Sequence, residues 1–276
     1  MLNEPFDGDR PQAEAPQEPP GGRSRWIWGA AIALIACAFA VHWWRSQAEP
    51  PPAPEVQKPA PDPAAEAAAQ QAADEKAARA LKASGEATDD KLRRQLGALS
   101  DDAAWKSWVA ATPDLLESGA VIIANVADDE DPRKRLTPLR PDGDFGAVEQ
   151  GGQWLESPDA QHRFDGPVNA ISSINSAALA PLWRTLHPLV SVAYHAVGRP
   201  GISLDKAAST ALHRIGDARL PAAPQPLQKT GKLWIYNEPD VEKLGPVEKQ
   251  LMRLGPDNAR KLQAKARELR AALGLP

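Results

Sequence analysis

The sequence predicts a mainly α protein: a single transmembrane helix, a Pro/Ala-rich linker, then a compact helical domain with one or two short extended segments. Three observations predict it. Residues Trp26–Trp44, WIWGAAIALIACAFAVHWW, contain no Asp, Glu, Lys or Arg. Proline and alanine dominate the stretch that follows. Beyond it, apolar residues recur at spacings of three and four behind helix-capping residues, the pattern of amphipathic helices. The corresponding segments are a tail at 1–25, the span at 26–44, a linker at 45–87 and a soluble domain at 88–276.

At 1.5 Å of rise per residue the apolar stretch covers roughly 28 Å, close to the hydrocarbon thickness of a bilayer. Trp26, Trp28, Trp43 and Trp44 stand where an aromatic belt lies, bracketed by Arg25 and Arg45. Ala38-Phe39-Ala40 resembles a signal-peptidase site. The apolar run nevertheless continues to Trp44, and the preceding tail is long and acidic, so a retained anchor is the favoured reading. Residues 1–25, rich in Pro, Gly, Asp and Glu, read as disordered.

The expected partner of Trp26–Trp44 is therefore the lipid bilayer. Arg10, Arg23 and Arg25 outnumber Arg45 and Lys58 across it, which favours a cytoplasmic N-terminus. The one cysteine, Cys37, lies inside the span, leaving no thiol to mispair in an oxidising compartment. Content high in Ala, Arg and Pro fits a GC-rich bacterial source. The expected location is a bacterial inner membrane, crossed once, with the C-terminal domain in the periplasm.

Pro50–Pro63, PPPAPEVQKPAPDP, favours extended polyproline II, about 3.1 Å per residue. Ala64–Ser84 is alanine-rich, carries the i,i+4 pair Glu75–Arg79, and predicts a helical rod ended by Gly85. A stalk of defined length and a slack tether both fit this composition.

In the domain, Thr88-Asp89-Asp90 and Ser100-Asp101-Asp102 predict caps of two successive helices. Thr112-Pro113 predicts a third N-cap with proline at the first helical position. The run Ala120–Val126 suits either that helix or a buried strand. Residues 128–152 read as a long turn-rich loop. Its acidic run Asp128–Asp131 is consecutive and stopped by Pro132, unlike a calcium loop, whose ligands alternate.

A central helix is expected over Ser176–Val197, interrupted by Pro181 and Pro188. Ser203 caps another, and Leu220–Gly231 reads as a Pro-rich connection. Leu233–Tyr236 reads as a short strand. The last helix opens at Pro256 and closes at Gly274. Arg260, Lys261, Lys265, Arg267 and Arg270 lie on its polar side. This is either a solvated face or a contact for an envelope protein or anionic polymer.

The net charge of −4 argues against a nucleic-acid partner. No Cys/His cluster, His-Glu-x-x-His pair, serine elbow or P-loop stands in the sequence, so no cofactor, metal or catalytic residue is assigned. The candidate binding residues are Arg163, Asp165, His187, Arg253 and Asn258. Arg163 and Asp165 precede Gly166-Pro167, and Arg253 and Asn258 flank Gly255-Pro256. Such residues either lock turns through an Arg–Asp pair or line a pocket for a carboxylate or phosphate. Two functions follow: an anchored domain that binds or scaffolds an envelope component without catalysis, or an envelope enzyme whose polar pocket joins Arg163, Asp165 and His187.

Leu233–Leu273 contains Lys249…Met252-Arg253-Leu254-Gly255-Pro256-Asp257-Asn258. Leu182-Trp183-Arg184-Thr185-Leu186-His187-Pro188-Leu189 and Arg163-Phe164-Asp165 lie upstream. On these residues the chain resembles the bacterial family domain of unknown function 3014, with His187 in place of the customary aromatic and Phe164 in place of Tyr. The resemblance implies a membrane-anchored architecture with a proline-rich spacer and implies no activity.

Overall fold

Folding begins, in the described part of the chain, with the alanine-rich segment, which becomes helix α1 (Pro63–Ala83). The structure is a computed structural model and describes residues 63–85, 87–197 and 201–276. The tail, the apolar span and the residues before Pro63 lie outside these.

Next come α2 (Asp89–Gly97), α3 (Ala103–Ala111) and α4 (Leu115–Ala127). The Asp102 side chain accepts from Trp105 N and starts α3 as its sequence predicts. The start of α4 differs from expectation. Asp114, in the left-handed region at φ 46°, is its N-cap. Thr112 instead ends α3, its hydroxyl donating to Trp108 O at 2.7 Å. Ala120–Val126 is helix rather than strand: Ala120 and Ala124 are buried, and small side chains let neighbouring helices approach.

After two 3-10 turns at Arg133–Arg135 and Thr137–Leu139 the chain forms a hairpin, β1 (Ala147–Gln150) and β2 (Gln153–Glu156). Gly151 and Gly152, at φ 62° and 76°, supply the two left-handed positions its tight turn requires. Helices α5 (Pro158–His162), α6 (Asp165–Ser172) and α7 (Ser176–Ala196) follow. The remainder is α8 (Leu204–Gly216), a second hairpin of β3 (Leu227–Thr230) and β4 (Leu233–Tyr236), and α9 (Pro239–Glu242), α10 (Pro246–Arg253) and α11 (Pro256–Leu273).

The protein is mainly α, but the one or two extended segments become four strands in one antiparallel sheet, ordered β1-β2-β3-β4. Leu233–Tyr236 is the strand its sequence predicts, whereas β1, β2 and β3 are short and bear Glu, Gln or Lys, so local β-propensity hides them. The hairpins meet through a single paired position, Trp154 with Leu227.

This element order is a duplication. The series α4–β1–β2–α5–α6–α7 repeats as α8–β3–β4–α9–α10–α11. Trp154, Pro158-Asp159 and Gly166-Pro167-Val168 in the first copy return as Trp234, Pro239-Asp240 and Gly245-Pro246-Val247 in the second. Equivalent helices pack together, α4 on α8 and α7 on α11. Val168 and Val247, at the same position in each copy, share one apolar cluster with Phe164, Ala211, Leu251 and Leu254.

Helix α1 precedes the duplicated unit and packs on α7. Its helicity follows composition, but it is not a free rod. Ala78 is buried against α7, with Leu81 partly buried beside it. The carboxylate of Asp74, 6% exposed, accepts from Ser191 Oγ at 2.6 Å and Gln70 Nε2 at 3.0 Å. Helical folding therefore reaches back from residue 88 to Pro63.

Among the described residues no single helix is long and apolar enough to cross a membrane. Helices α3 and α4 pass such a test only as a pair bent by 109°, and Trp105, Trp108, Val109, Leu115 and Ala120 of that pair are buried in the core.

Ser191→Ala removes a donor from a buried carboxylate. Urea denaturation of the full chain should show a loss of about 1–3 kcal/mol. Gln71→Ala, an exposed change on the same helix, should stay within about 0.5 kcal/mol. Equal midpoints for the two variants would show that the Asp74 bond does not hold α1.

Candidate functional site

Strand alternation sets one face of the sheet. Glu156 and Trp154 of β2 share it with Tyr236 and Trp234 of β4, with Leu227 and Lys229 of β3 and Glu149 of β1. The Trp154 and Trp234 rings lie 5.4 Å apart, and Phe145 approaches Trp234 at 6.4 Å. Arg163, between α5 and α6, places its guanidinium 4.7 Å from the Phe164 ring and 5.9 Å from the Phe145 ring. Arg253, at the end of α10, lies 6.0 Å from the Tyr236 ring and donates to Trp234 O at 3.4 Å.

Glu156 sits at the centre of this group. Its Oε1 is buried without a hydrogen-bond partner. Burial raises its pKa from 4.5 to about 7, although Arg253 and then Arg163 pull it down. Tyr236 is pushed up to about 12, chiefly by burial and then by the Glu156 charge.

The candidate residues from the sequence divide into three sets. Arg163 and Arg253 both bear on Glu156 through their charge, without a direct ion pair to it. Asp165 and Asn258 join each other. Asn258 Nδ2 donates to Asp165 Oδ1 at 2.7 Å, to Leu254 O at 3.2 Å and to Gln161 O at 3.4 Å. The expected Arg163–Asp165 pair does not form: Arg163 Nε donates to Ala160 O at 2.9 Å, and Asp165 takes His162 as its second partner at 3.1 Å. Asp165 is held below the usual carboxylate range, by the Asn258 bond first and His162 second.

His187 stands apart from both sets. Its Nε2 meets Asp205 Oδ1 of α8 at 3.0 Å, and its ring packs edge-on against Trp183. The pocket joining Arg163, Asp165 and His187 is therefore not built. Among the described residues no three His, Cys, Asp or Glu side chains converge as a metal site. Two surface hollows, about 630 Å³ on α1 and about 270 Å³ between α1 and α7, are lined by none of these residues.

The polar side of α11 is also committed. Lys265 is 7% exposed rather than solvated; its Nζ donates to Ile174 O at 2.7 Å and to Ser176 Oγ at 3.2 Å, and pairs with Glu268 at 3.0 Å. Lys261 bonds Asn169 at 2.7 Å, Arg267 bonds Gly216 O, Arg270 bonds Asp217 at 3.1 Å, and Arg260 bonds Asp257.

The acidic run has a structural task as well. Asp129, at φ 61°, accepts from Val247 N at 3.1 Å and so caps α10 from a distant loop. Gly245 leaves the room, since a Cβ there would fall 1.6 Å from Asp129 Oδ2. Asp131 accepts from Arg133 N at 2.9 Å.

Glu156, Tyr236 and the Trp pair were not singled out in the sequence. The signal that finds them is the duplication: Trp154 and Trp234 recur at matched positions, and Glu156 and Tyr236 follow each by two residues.

Fold and site together define a class: a helical domain made of two copies of a helix–hairpin–three-helix unit, joined at an arginine- and aromatic-lined sheet. The family described as Protein of unknown function (DUF3014) matches residues 115–270, and the chain belongs to that family. No curated protein and no solved structure matches the chain.

Two tests follow. Gly255 sits at φ 78°, and an added Cβ would lie 2.6 Å from Gln161 Oε1. Gly255→Ala should therefore destabilise by more than the about 1 kcal/mol of backbone strain alone, and Asn258→Ala by about 1–3 kcal/mol, both read from urea midpoints. Glu156 binds its proton more tightly folded than unfolded, so stability should fall as pH rises from 4.5 toward about 7 and level off above. Glu156→Gln should flatten that slope; an unchanged slope places its origin elsewhere.

Proposed function

We propose that this chain is a single-pass inner-membrane protein whose periplasmic helical domain binds or scaffolds an envelope component without catalysis. The observation that carries the reading is the exposure of the Trp154 indole beside Trp234 on one face of the sheet. Trp154 is 42% exposed, while Val148 and Leu233, 40% and 69% exposed, lie on the opposite face by strand alternation. An indole left this open in a domain able to bury Trp105 and Trp108 is surface held for a partner. The apolar Trp26–Trp44 stretch supports the anchor, and its flanking arginines support a cytoplasmic N-terminus. The proline-rich linker supports a domain held off the bilayer.

Site-specific photocrosslinkers at Glu149, Trp154 and Lys229, which share that face, in the full chain in native membranes, should give one shared adduct. Arg260, exposed on α11, should not, and Trp154→Glu should abolish the adduct formed from Lys229. Adducts no stronger from the sheet than from Arg260 would overturn the docking surface. Release of the intact chain by alkaline carbonate would overturn the anchor.

A further inference from the structure

We infer that the sheet face between the two hairpins is a binding site for an acidic saccharide, its ring laid on the Trp154 indole and its carboxylate held by Arg163 and Arg253. The inference rests on the binding-module reading above and names the chemistry of the ligand.

The two tryptophans occupy matched positions in the two copies and meet at the hairpin junction. They are not equivalent in use. Trp234 is surrounded by Trp154, Phe145 and Lys229, whose Nζ stands 5.8 Å from its ring, and only a part of it remains open. Trp154 has Trp234 on one side and is 42% exposed. A broad, rigid indole supported from behind presents a negative π face to polarised C–H groups, the contact a pyranose ring makes. An acidic peptide lacks a flat C–H face of that size.

The arginines supply the second half. Arg163 spends Nε on Ala160 O and lies within 3.5 Å of Gly143 O through Nη1; Arg253 spends Nη2 on Trp234 O and also hydrogen-bonds the Tyr236 side chain. Neither makes a direct ion pair among the described residues, and each guanidinium keeps donors of its planar fork. Both border the Trp234 side of the face, Arg163 beside the Phe145 ring that approaches Trp234, and Arg253 at Trp234 O and the Tyr236 ring. The Glu156 carboxylate makes no direct ion pair with either.

The charges on this face are Lys229, Arg163 and Arg253 against Glu149 and Glu156, with Tyr236 beside Glu156 and the Glu242–Lys249 pair behind Tyr236. With Glu156 ionised it competes for the arginines and repels an incoming carboxylate. With Glu156 protonated that repulsion disappears. A uronate is ionised throughout the neutral range, so binding strengthens as pH falls through about 7.

The experiment is calorimetric titration of the full chain in detergent micelles with oligogalacturonate, run beside cellohexaose as the neutral sugar and oligoglutamate as the acidic peptide. Oligogalacturonate should bind, on the order of tenfold more tightly at pH 6 than at pH 8. Trp154→Ala, Arg163→Gln and Arg253→Gln should each weaken it at least about tenfold. Glu156→Gln should bind at pH 8 as the parent does at pH 6, a gain that a misfolded variant cannot give. No binding of oligogalacturonate, or equal binding of cellohexaose, overturns the inference. Equal or tighter binding of oligoglutamate overturns it in favour of an acidic peptide. Failure here with the shared crosslink intact removes the saccharide and leaves the docking surface standing.

Discussion

The bond from Asn258 to Asp165 is the constraint on which the site geometry depends. It ties the first turn of α11 to the first residue of α6, elements from the two copies of the repeat. Gly255 makes the approach possible, because its left-handed φ turns the chain between α10 and α11 and its missing Cβ leaves room for Gln161. Immediately before Gly255 lies Leu254, buried, and before that Arg253. Two residues before Asp165 lies Arg163. The same joint that closes the core between the copies thus fixes where both guanidinium groups stand, and so fixes the surroundings of Glu156.

Glu156 and Tyr236 explain why this joint is chemically uneven. They hold equivalent positions, yet one copy supplies a carboxyl and the other a phenol. A duplicated unit with carboxylates at both positions would bring two acids toward one face, and each would raise the other's pKa further. With one acid and two arginines, the group keeps a net positive character at the cost of one buried oxygen without a hydrogen-bond partner. That orphaned Oε1 is expensive in a purely structural role, since an unmade buried bond costs about 1–3 kcal/mol.

Much of the helical framework was legible from local chemistry. Asp102 and Ser203 cap where short polar residues precede apolar runs, and Pro256 and Gly274 bound α11 as their φ preferences require. What was not legible depends on distant partners. Asp129 caps α10 across more than a hundred residues, and Lys265 loses its water to Ile174 O and Ser176. Neither event leaves a trace in the spacing of its own segment. Strand β4 was legible in its apolar run, but β1, β2 and β3 escaped for a different reason: four-residue strands bearing Glu, Gln and Lys show too little alternation, and comparison of the two copies exposes them. Of the candidate site, the arginines were visible beside their turns, while the acid between them was hidden in one of those strands.

Helix α1 is fixed to the domain rather than left as a free rod. A rod free in solution leaves the domain able to tumble about its tether, because alanine-rich helix and polyproline segments set distance without orientation. Docking α1 on α7 through Ala78 and the Asp74–Ser191 bond removes that freedom at the domain end. Burying a carboxylate is a costly way to attach an alanine helix, and an apolar residue at position 74 would bind α7 at lower cost. What the carboxylate adds is register: Gln70 lies on the same helix and moves with it, but Ser191 stands on α7, so a helix sliding by one turn loses the Ser191 donor from a buried carboxylate.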